Sequence, residues 1–151
     1  MKYTVTQAGA EELDILATLF DTYRVFYGRD SDMISAREFL SDRIADDDSV
    51  LFVAVDDMNG GGLGFAQLYP SFSSVAMKRV WILNDLFVAD FARRSGVGRK
   101  LMDAVVAFAR STDAARVDLA TAKVNIAAKA LYEAVDYNLD TQFDHYKLPI
   151  G

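Results

Sequence analysis

The amino-acid sequence predicts a mixed α/β fold, and three observations support that prediction. Apolar residues alternate or run together in short stretches, as in strands, and recur every three to four positions in longer ones, as in helices. A cluster of glycine and acidic residues separates two of the predicted strands and indicates a hairpin. A basic glycine turn lies between the longest predicted strand and a helix, which favours a strand–helix–strand unit with parallel strands.

The first third of the chain predicts a strand followed by two helices. Tyr3–Gln7 alternates and is rich in β-branched residues, as strands are. Residues 10–27 have the pattern of an amphipathic helix that stops at Gly28. Ser35 and Glu38 fit a capping box at the start of a second helix. The buried face of the first helix is predicted from apolar residues at helical spacing, which are Leu13, Leu16, Phe20, Tyr23 and Tyr27.

The next segment predicts a β-hairpin. Val50–Val55 and residues 63–69 are short apolar runs, and the residues between them are typical of turns. The glycines at 60–64 are also compatible in composition with a phosphate-binding loop. A strand follows them, however, and such a loop needs the dipole of a following helix. A hairpin tip is therefore the favoured interpretation, and residues 70–74 predict a loop after the hairpin.

Five further features complete the predicted order of elements. Val80–Val88 is the longest apolar strand candidate, and residues 97–110 have a helical apolar face. Residues 117–121 predict a strand that runs parallel to 80–88. Asn125 suits the cap of a short helix that ends near residue 134. Thr141–Leu148 alternates loosely and predicts a final strand.

Composition and charge argue against several classes of protein. The chain has 151 residues, a net charge of −6, one histidine and no cysteine. Without cysteine there are no disulfides, thiolate metal sites or cysteine nucleophile, and we predict no metal site. Negative charge argues against nucleic acid as the main partner and suits a cationic substrate. No apolar run fits a membrane span or a signal peptide, so we expect no membrane partner and a cytoplasmic location.

The basic turn at Arg93–Gly98 is the strongest indication of a binding site. It lacks the Gly-Lys-Ser/Thr ending of a P-loop, and Leu101 stands where a dinucleotide-binding fingerprint has its third glycine. The pattern that fits is R-x-x-G-x-G. Its glycines let a backbone approach an anion closely, and the following helix supplies free N–H groups and the positive end of its dipole. A diphosphate is the natural ligand, and a plain helix start with solvated arginines is the alternative.

Two motifs in the second half resemble those of a known family. Asp85–Val88 leads into the R-x-x-G-x-G turn, and Asn125–Glu133 matches the pattern N-x-x-A-x-x-L-Y-E. In this order and on these elements, the motifs resemble those of the GCN5-related N-acetyltransferase (GNAT) superfamily, which binds acetyl-CoA. Asp136 departs from the family pattern, which usually has a glycine before the aromatic residue that follows this helix.

The resemblance implies a fold and a cosubstrate. The fold would be a single domain over residues 1–151, with a central mixed and mostly antiparallel sheet of six to seven strands, about four flanking helices and splayed parallel strands at the cofactor site. The cosubstrate would be acetyl-CoA, with its pyrophosphate on the turn and its pantetheine arm on the exposed backbone of Phe87 and Val88. The cofactor-binding residues that the resemblance implies are Phe87, Val88, Arg93, Arg94, Ser95, Gly96, Val97, Gly98, Arg99, Asn125 and Ala128.

Acetyl transfer to an amine needs a proton acceptor, a donor to the oxyanion and a proton donor to the leaving thiolate. The resemblance makes Tyr132 the general acid and the Val88 N–H the oxyanion donor, while a tyrosine that closes the core is the alternative for Tyr132. Asp85 lies on the strand that leads to the thioester, and either deprotonates the amine through a water or attracts a cation. Asn125 contacts the arm, caps its helix, or does both. The single histidine, His145, is a weaker candidate for the base.

The acceptor is the least determined part of the prediction. Aromatic residues of the first helix, together with Phe72 and Trp81, either line an acceptor pocket beside Asp85 or simply pack. The favoured function is N-acetylation of a primary amine on a small molecule, such as a polyamine or an amino acid. A protein acetyltransferase and a non-catalytic acyl-CoA-binding module are the alternatives, and a second copy of the chain is a candidate partner. The aromatic residues of the first helix are Tyr23, Phe26 and Tyr27.

Overall fold

The computed structural model describes residues 1–151 and contains five strands and four α-helices. Most predicted elements are confirmed to within a few residues, and a short 3-10 turn at Ala10–Glu12 precedes the first helix. The elements in chain order are β1 (Tyr3–Ala8), α1 (Leu13–Phe26), α2 (Met33–Ala45), β2 (Val50–Asp56), β3 (Gly62–Ser73), β4 (Lys78–Val88), α3 (Val97–Ser111), β5 (Arg116–Leu119) and α4 (Ile126–Ala134).

Backbone contacts divide the chain into two compact units, Met1–Ala120 and Thr121–Gly151. The first unit contains all five strands together with α1, α2 and α3, and the second contains α4. None of the helices is both long and apolar enough to cross a bilayer. A single domain over the whole chain stays a prediction.

The five strands form one sheet in the order β1-β2-β3-β4-β5. The first three pairings are antiparallel, whereas β4 and β5 are parallel and are connected through α3. The β4–β5 pairing ends at Leu83 and Leu119, but β4 continues to Val88. The last residues of β4 therefore have a ladder partner on the β3 side alone.

Helices α1 and α2 cover one face of the sheet, and α3 covers the other. Leu16 of α1 and Leu40 of α2 have no exposed surface and join one buried cluster with Val53 and Phe65 of the sheet. Phe52 points the opposite way because side chains alternate along a strand, and its ring lies 5.8 Å from that of Phe108 in α3. Each fully buried side chain of this kind stabilises the fold by roughly 1.5–3 kcal/mol.

The predicted final strand, Thr141–Leu148, is wrong. These residues join no ladder, so the sheet has five strands instead of six to seven. The Asp140 carboxylate accepts the backbone N–H groups of Gln142 and Phe143 at 2.9 and 3.2 Å. A local side-chain acceptor thus takes donors that a strand would direct to a neighbouring strand.

The capping box predicted at Ser35 and Glu38 does not form. Helix α2 begins earlier, at Met33, and its N-cap is Asp32, whose carboxylate accepts the Ser35 N–H at 3.1 Å. Asp is as good an N-cap as Ser, so the sequence offers two candidate starts three residues apart. The structure takes the first one.

The loop predicted at residues 70–74 is also wrong in part. Strand β3 continues through Pro70 to Ser73, and Pro70 pairs with Trp81 of β4. On the other side, β2 pairs no further than Leu68. At Pro70 the strand is therefore an edge on that side, where a missing N–H costs no ladder bond.

Candidate active site

The end of β4 directs backbone groups to an open edge of the sheet. The Ala89 N–H donates to the Leu63 carbonyl at 2.8 Å, so the backbone groups of Ala89 and Phe87 face β3 in this antiparallel ladder. Those of Leu86 and Val88 face the other way, where pairing with β5 has already ended. Val88 and Leu86, rather than Phe87, therefore present their peptide groups at this edge. Sequence reasoning missed Leu86, because the register with β3 determines which residues of β4 direct their peptide groups to the open edge.

The turn at Arg93–Gly98 leads from β4 into α3 and leaves the start of that helix uncapped. Arg94 and Gly96 have positive φ angles of +63° and +83°, which glycine adopts freely and arginine does not. Gly96 is the N-cap of α3, and no side chain accepts from its first turn, whereas Asp32 and Asn125 cap α2 and α4 in that way. The first turn of α3 thus offers N–H donors to an anion.

Residues of β1 and α3 support this turn. The Tyr3 hydroxyl donates to the Ser95 carbonyl at 3.4 Å, and the Lys100 ammonium lies 5.7 Å from the centre of the Tyr3 ring. Val97 is buried and fixes the turn to the core, while Arg99 is exposed beside it. Exposed arginine and lysine near uncapped N–H groups make the turn attractive to a negatively charged ligand.

The side chain of Arg93 points back to the end of β4. Its Nε donates to the Val88 carbonyl at 3.0 Å, and its Nη1 lies 2.8 Å from the Asp90 carboxylate. Its guanidinium carbon lies 5.5 and 5.9 Å from the ring centres of Phe26 and Phe87, within the range of cation–π attraction. These contacts connect the end of β4 to α1.

Asp85 is buried on the face of the sheet that α1 covers, with 5% of its surface exposed. Burial raises the pKa of its carboxyl, and hydrogen bonds from Gln67, Tyr23 and Asn84 act in the opposite direction. Gln67 Nε2 donates to one carboxylate oxygen at 2.8 Å, and Asn84 Nδ2 donates to the other at 3.1 Å. Sequence reasoning missed Gln67 and Asn84, although a glutamine inside the apolar run 63–69 was an available signal.

Aromatic side chains of α1 lie beside this carboxylate. The Tyr23 ring lies 5.9 Å from the Phe87 ring and 5.1 Å from the Tyr27 ring. Phe26 and Tyr27 are 57% and 53% exposed, which is high for large aromatic residues. The structure therefore groups the three aromatic residues predicted on this helix, and Tyr23 among them hydrogen-bonds Asp85.

The other two aromatic candidates are located elsewhere. The Trp81 ring lies 5.0 Å from the Phe108 ring, and its Nε1 donates to the Thr112 hydroxyl at 2.9 Å, so Trp81 belongs to the core under α3. Phe72 lies under the Arg79 guanidinium, 4.2 Å from it. Neither residue contacts the aromatic group of α1.

The second compact unit contains the remaining predicted residues. The Asn125 side chain accepts the Ala128 N–H at 3.2 Å, which confirms the predicted helix cap. Tyr132 lies later on α4, and its ring is 6.2 Å from that of Tyr137. Asp136 has a φ of +70° and adopts the left-handed conformation that ends many helices, although it is not glycine.

Comparison with known proteins identifies the family. The acetyltransferase (GNAT) family model matches residues 14–137. The chain belongs to the GNAT family. The uncharacterized N-acetyltransferase YhfO of Bacillus subtilis (strain 168) is 42% identical over 146 residues, which are 97% of each chain. The crystal structure of a probable acetyltransferase is 44% identical, covers 98% of each chain and superposes with a TM-score of 0.94.

A third relative has a more specific name. The D-amino-acid N-acetyltransferase HPA3 of Saccharomyces cerevisiae (strain ATCC 204508 / S288c) is 35% identical over 88 residues, which are 58% of this chain and 55% of that protein. Together the matches confirm a mixed α/β GNAT fold and identify the chain as an acyl-CoA-dependent N-acetyltransferase. Enzymes of this family generally use acetyl-CoA.

Proposed function

We propose that this GNAT enzyme transfers the acetyl group of acetyl-CoA to a primary amine of a small molecule, such as a polyamine or an amino acid. The observation that supports this best is the placement of Asp85, a buried carboxylate on the strand that leads to the glycine turn. A buried carboxylate attracts an ammonium group strongly because little solvent screens it. The yeast relative, a D-amino-acid N-acetyltransferase, agrees with a small acceptor.

The glycine turn fits the diphosphate of acetyl-CoA. Uncapped N–H groups between Arg94 and Arg99 would bind its oxygens, with added charge from these two arginines. The Arg93 guanidinium is engaged by Val88 and Asp90, and its backbone N–H donates to the Asp90 carbonyl at 3.3 Å, so we assign Arg93 to the diphosphate by family resemblance alone. We place the pantetheine arm along the open edge formed by the Val88 and Leu86 peptides. Asn125 and Ala128 are the residues of the second unit that we assign to the arm by family resemblance.

Acetyl-CoA supplies the acetyl group as a thioester, and the chain supplies proton transfer and charge stabilisation. In the proposed mechanism Asp85 attracts the acceptor amine and takes its proton. The Val88 N–H donates to the acetyl oxygen as negative charge develops there. The Tyr132 hydroxyl returns a proton to the sulfur as the thiolate leaves. Tyr132 holds this role by family resemblance.

Release of the free thiol from acetyl-CoA tests the proposal. Purified protein would be offered polyamines, L- and D-amino acids and, separately, lysine-containing peptides. We expect turnover with at least one free amine, and a loss of about 100-fold in kcat for Tyr132→Phe when proton donation to the thiolate is removed. Turnover with peptides alone would favour a protein acetyltransferase. Binding of acetyl-CoA with no turnover on any amine would favour a non-catalytic module.

A further inference from the structure

Gln67 and Asp85 form a buried polar pair across two strands. Gln67 has no exposed surface and lies opposite Asp85 in the β3–β4 ladder. Its Nε2 donates to Asp85 Oδ2 at 2.8 Å, while its Oε1 is buried without a hydrogen-bond donor. A buried acceptor without a donor is costly, and an apolar side chain of similar size would avoid that cost. Packing alone therefore does not account for a glutamine here.

A bulge in β4 adds a second donor to the same carboxylate. Gln67 pairs with Asp85 and Leu68 with Leu83, so Asn84 is an extra residue between the two pairs. Bulges change the direction of a side chain, and Asn84 Nδ2 donates to Asp85 Oδ1 at 3.1 Å. A third hydrogen bond comes from Tyr23 of α1. An ionised carboxylate has about four acceptor positions, so about one is left for a further donor.

Several charged and titratable groups surround this carboxylate. Tyr23 faces it from α1, and Tyr69 from β3. Burial, and then the negative charge of Asp85, raises the pKa of Tyr69 to about 12, so Tyr69 stays neutral. Arg43 of α2 and Asp48, an ion pair at 3.0 Å, also act on Tyr69, and their charges have opposite effects on its pKa. Gln67 is thus the closest neutral donor that is neither titratable nor exposed.

We infer that Gln67 is a positioning residue of the acetyl-transfer site, which holds Asp85 as an oriented carboxylate and leaves one acceptor position for the substrate ammonium. The inference rests on the proposed role of Asp85 as the group that attracts and deprotonates the amine. When the amine N–H bond breaks, the proton forms an O–H bond on Asp85. Rotation of the Gln67 amide then turns Oε1 toward that O–H, so one side chain serves both protonation states of Asp85.

The pH dependence of kcat/KM in Gln67 variants tests this inference. Gln67→Met removes both the donor and the acceptor at similar volume, and Gln67→Glu replaces the donor with a second carboxylate. In both variants we expect the acidic limb of the profile to move to higher pH, because ionised Asp85 loses a hydrogen-bond donor. The shift should be larger in Gln67→Glu, where a second carboxylate also repels the charge of Asp85. At pH 7 we expect kcat/KM for the amine to fall about tenfold, with KM for acetyl-CoA unchanged. Leu68→Met, at the neighbouring buried position, is the matched control and should keep the wild-type profile.

A direct titration separates this inference from the proposed function. The carboxyl carbon of Asp85 can be followed by NMR in substrate-free protein, with assignment from Asp85→Asn. We expect its midpoint to rise in Gln67→Met and further in Gln67→Glu. Profiles and midpoints equal to those of the wild type would overturn the inference, even if the variants were less thermostable. Should the wild type acetylate no amine, the proposed function would fail, while the titration would still show whether Gln67 stabilises the ionised form of Asp85.

Discussion

At the scale of single residues, Asp85 is expected to reduce the stability of the fold. Burial raises the pKa of its carboxyl above the ordinary value of 3.8. The folded state therefore binds the proton more tightly than the unfolded chain does. Stability falls as the pH rises from the unfolded to the folded pKa, and stays lower above that window. The cost of a charged group at this position is consequently present at neutral pH.

The variant Asp85→Asn tests this cost. It removes the charge, and its amide can pair with the unsatisfied Gln67 Oε1 after rotation of the glutamine. We expect the free energy of unfolding to increase by about 1 kcal/mol at pH 7, which corresponds to about 2–4 °C in Tm, while acetyl transfer is lost. The difference from the wild type should shrink as the pH falls toward the ordinary carboxyl pKa of 3.8, because Asp85 becomes protonated. A variant that is less stable than the wild type at pH 7, or a difference independent of pH, would contradict this reasoning.

At the scale of elements, the start of α2 provides a test of local capping. The Ser35 backbone N–H, by its hydrogen bond to the Asp32 carboxylate, lowers the pKa of that carboxyl. A lowered pKa means that the ionised cap stabilises the fold above its ordinary pKa and loses that effect as the pH falls through the folded value. We expect Asp32→Ala to lower Tm by about 2–4 °C at pH 7 and by less in acid.

The matched control for this prediction is Glu38→Ala. Glu38 is exposed within α2 and would matter only if the capping box were formed. Thermal unfolding followed by circular dichroism should therefore give a Tm close to that of the wild type for Glu38→Ala. A larger decrease in Tm for Glu38→Ala than for Asp32→Ala would support the capping box and contradict the Asp32 cap.

At the scale of the whole molecule, features set by neighbouring residues in sequence were predictable, and features set by strand register were not. The glycine turn before α3 and the Asn125 cap of α4 each depend on a few consecutive residues, so the sequence was sufficient to find them. The pairing of Gln67 with Asp85 depends on the bulge at Asn84, which changes the register of two distant strands.

The absence of the predicted final strand also depends on pairing between segments that are distant in sequence. A strand needs a partner as well as an alternating pattern, and residues 141–148 have the pattern without a ladder. The assignment of the Phe87 backbone to the arm of the cosubstrate came from family resemblance. Its peptide faces β3 because of the pairing between Phe65 and Phe87, which the sequence of β4 does not reveal.

Calorimetric titration with acetyl-CoA tests directly whether the turn at Arg93–Gly98 binds the diphosphate, as we propose. Gly96→Asp places a carboxylate at the turn, and Gly60→Asp is the matched control at the tip of the β2–β3 hairpin. Both glycines have positive φ, +83° and +72°, so both changes strain the backbone similarly. We predict that Gly96→Asp weakens the affinity at least about tenfold and that Gly60→Asp leaves it unchanged. Equal affinity of Gly96→Asp and wild-type protein for acetyl-CoA would show that the diphosphate does not bind at this turn.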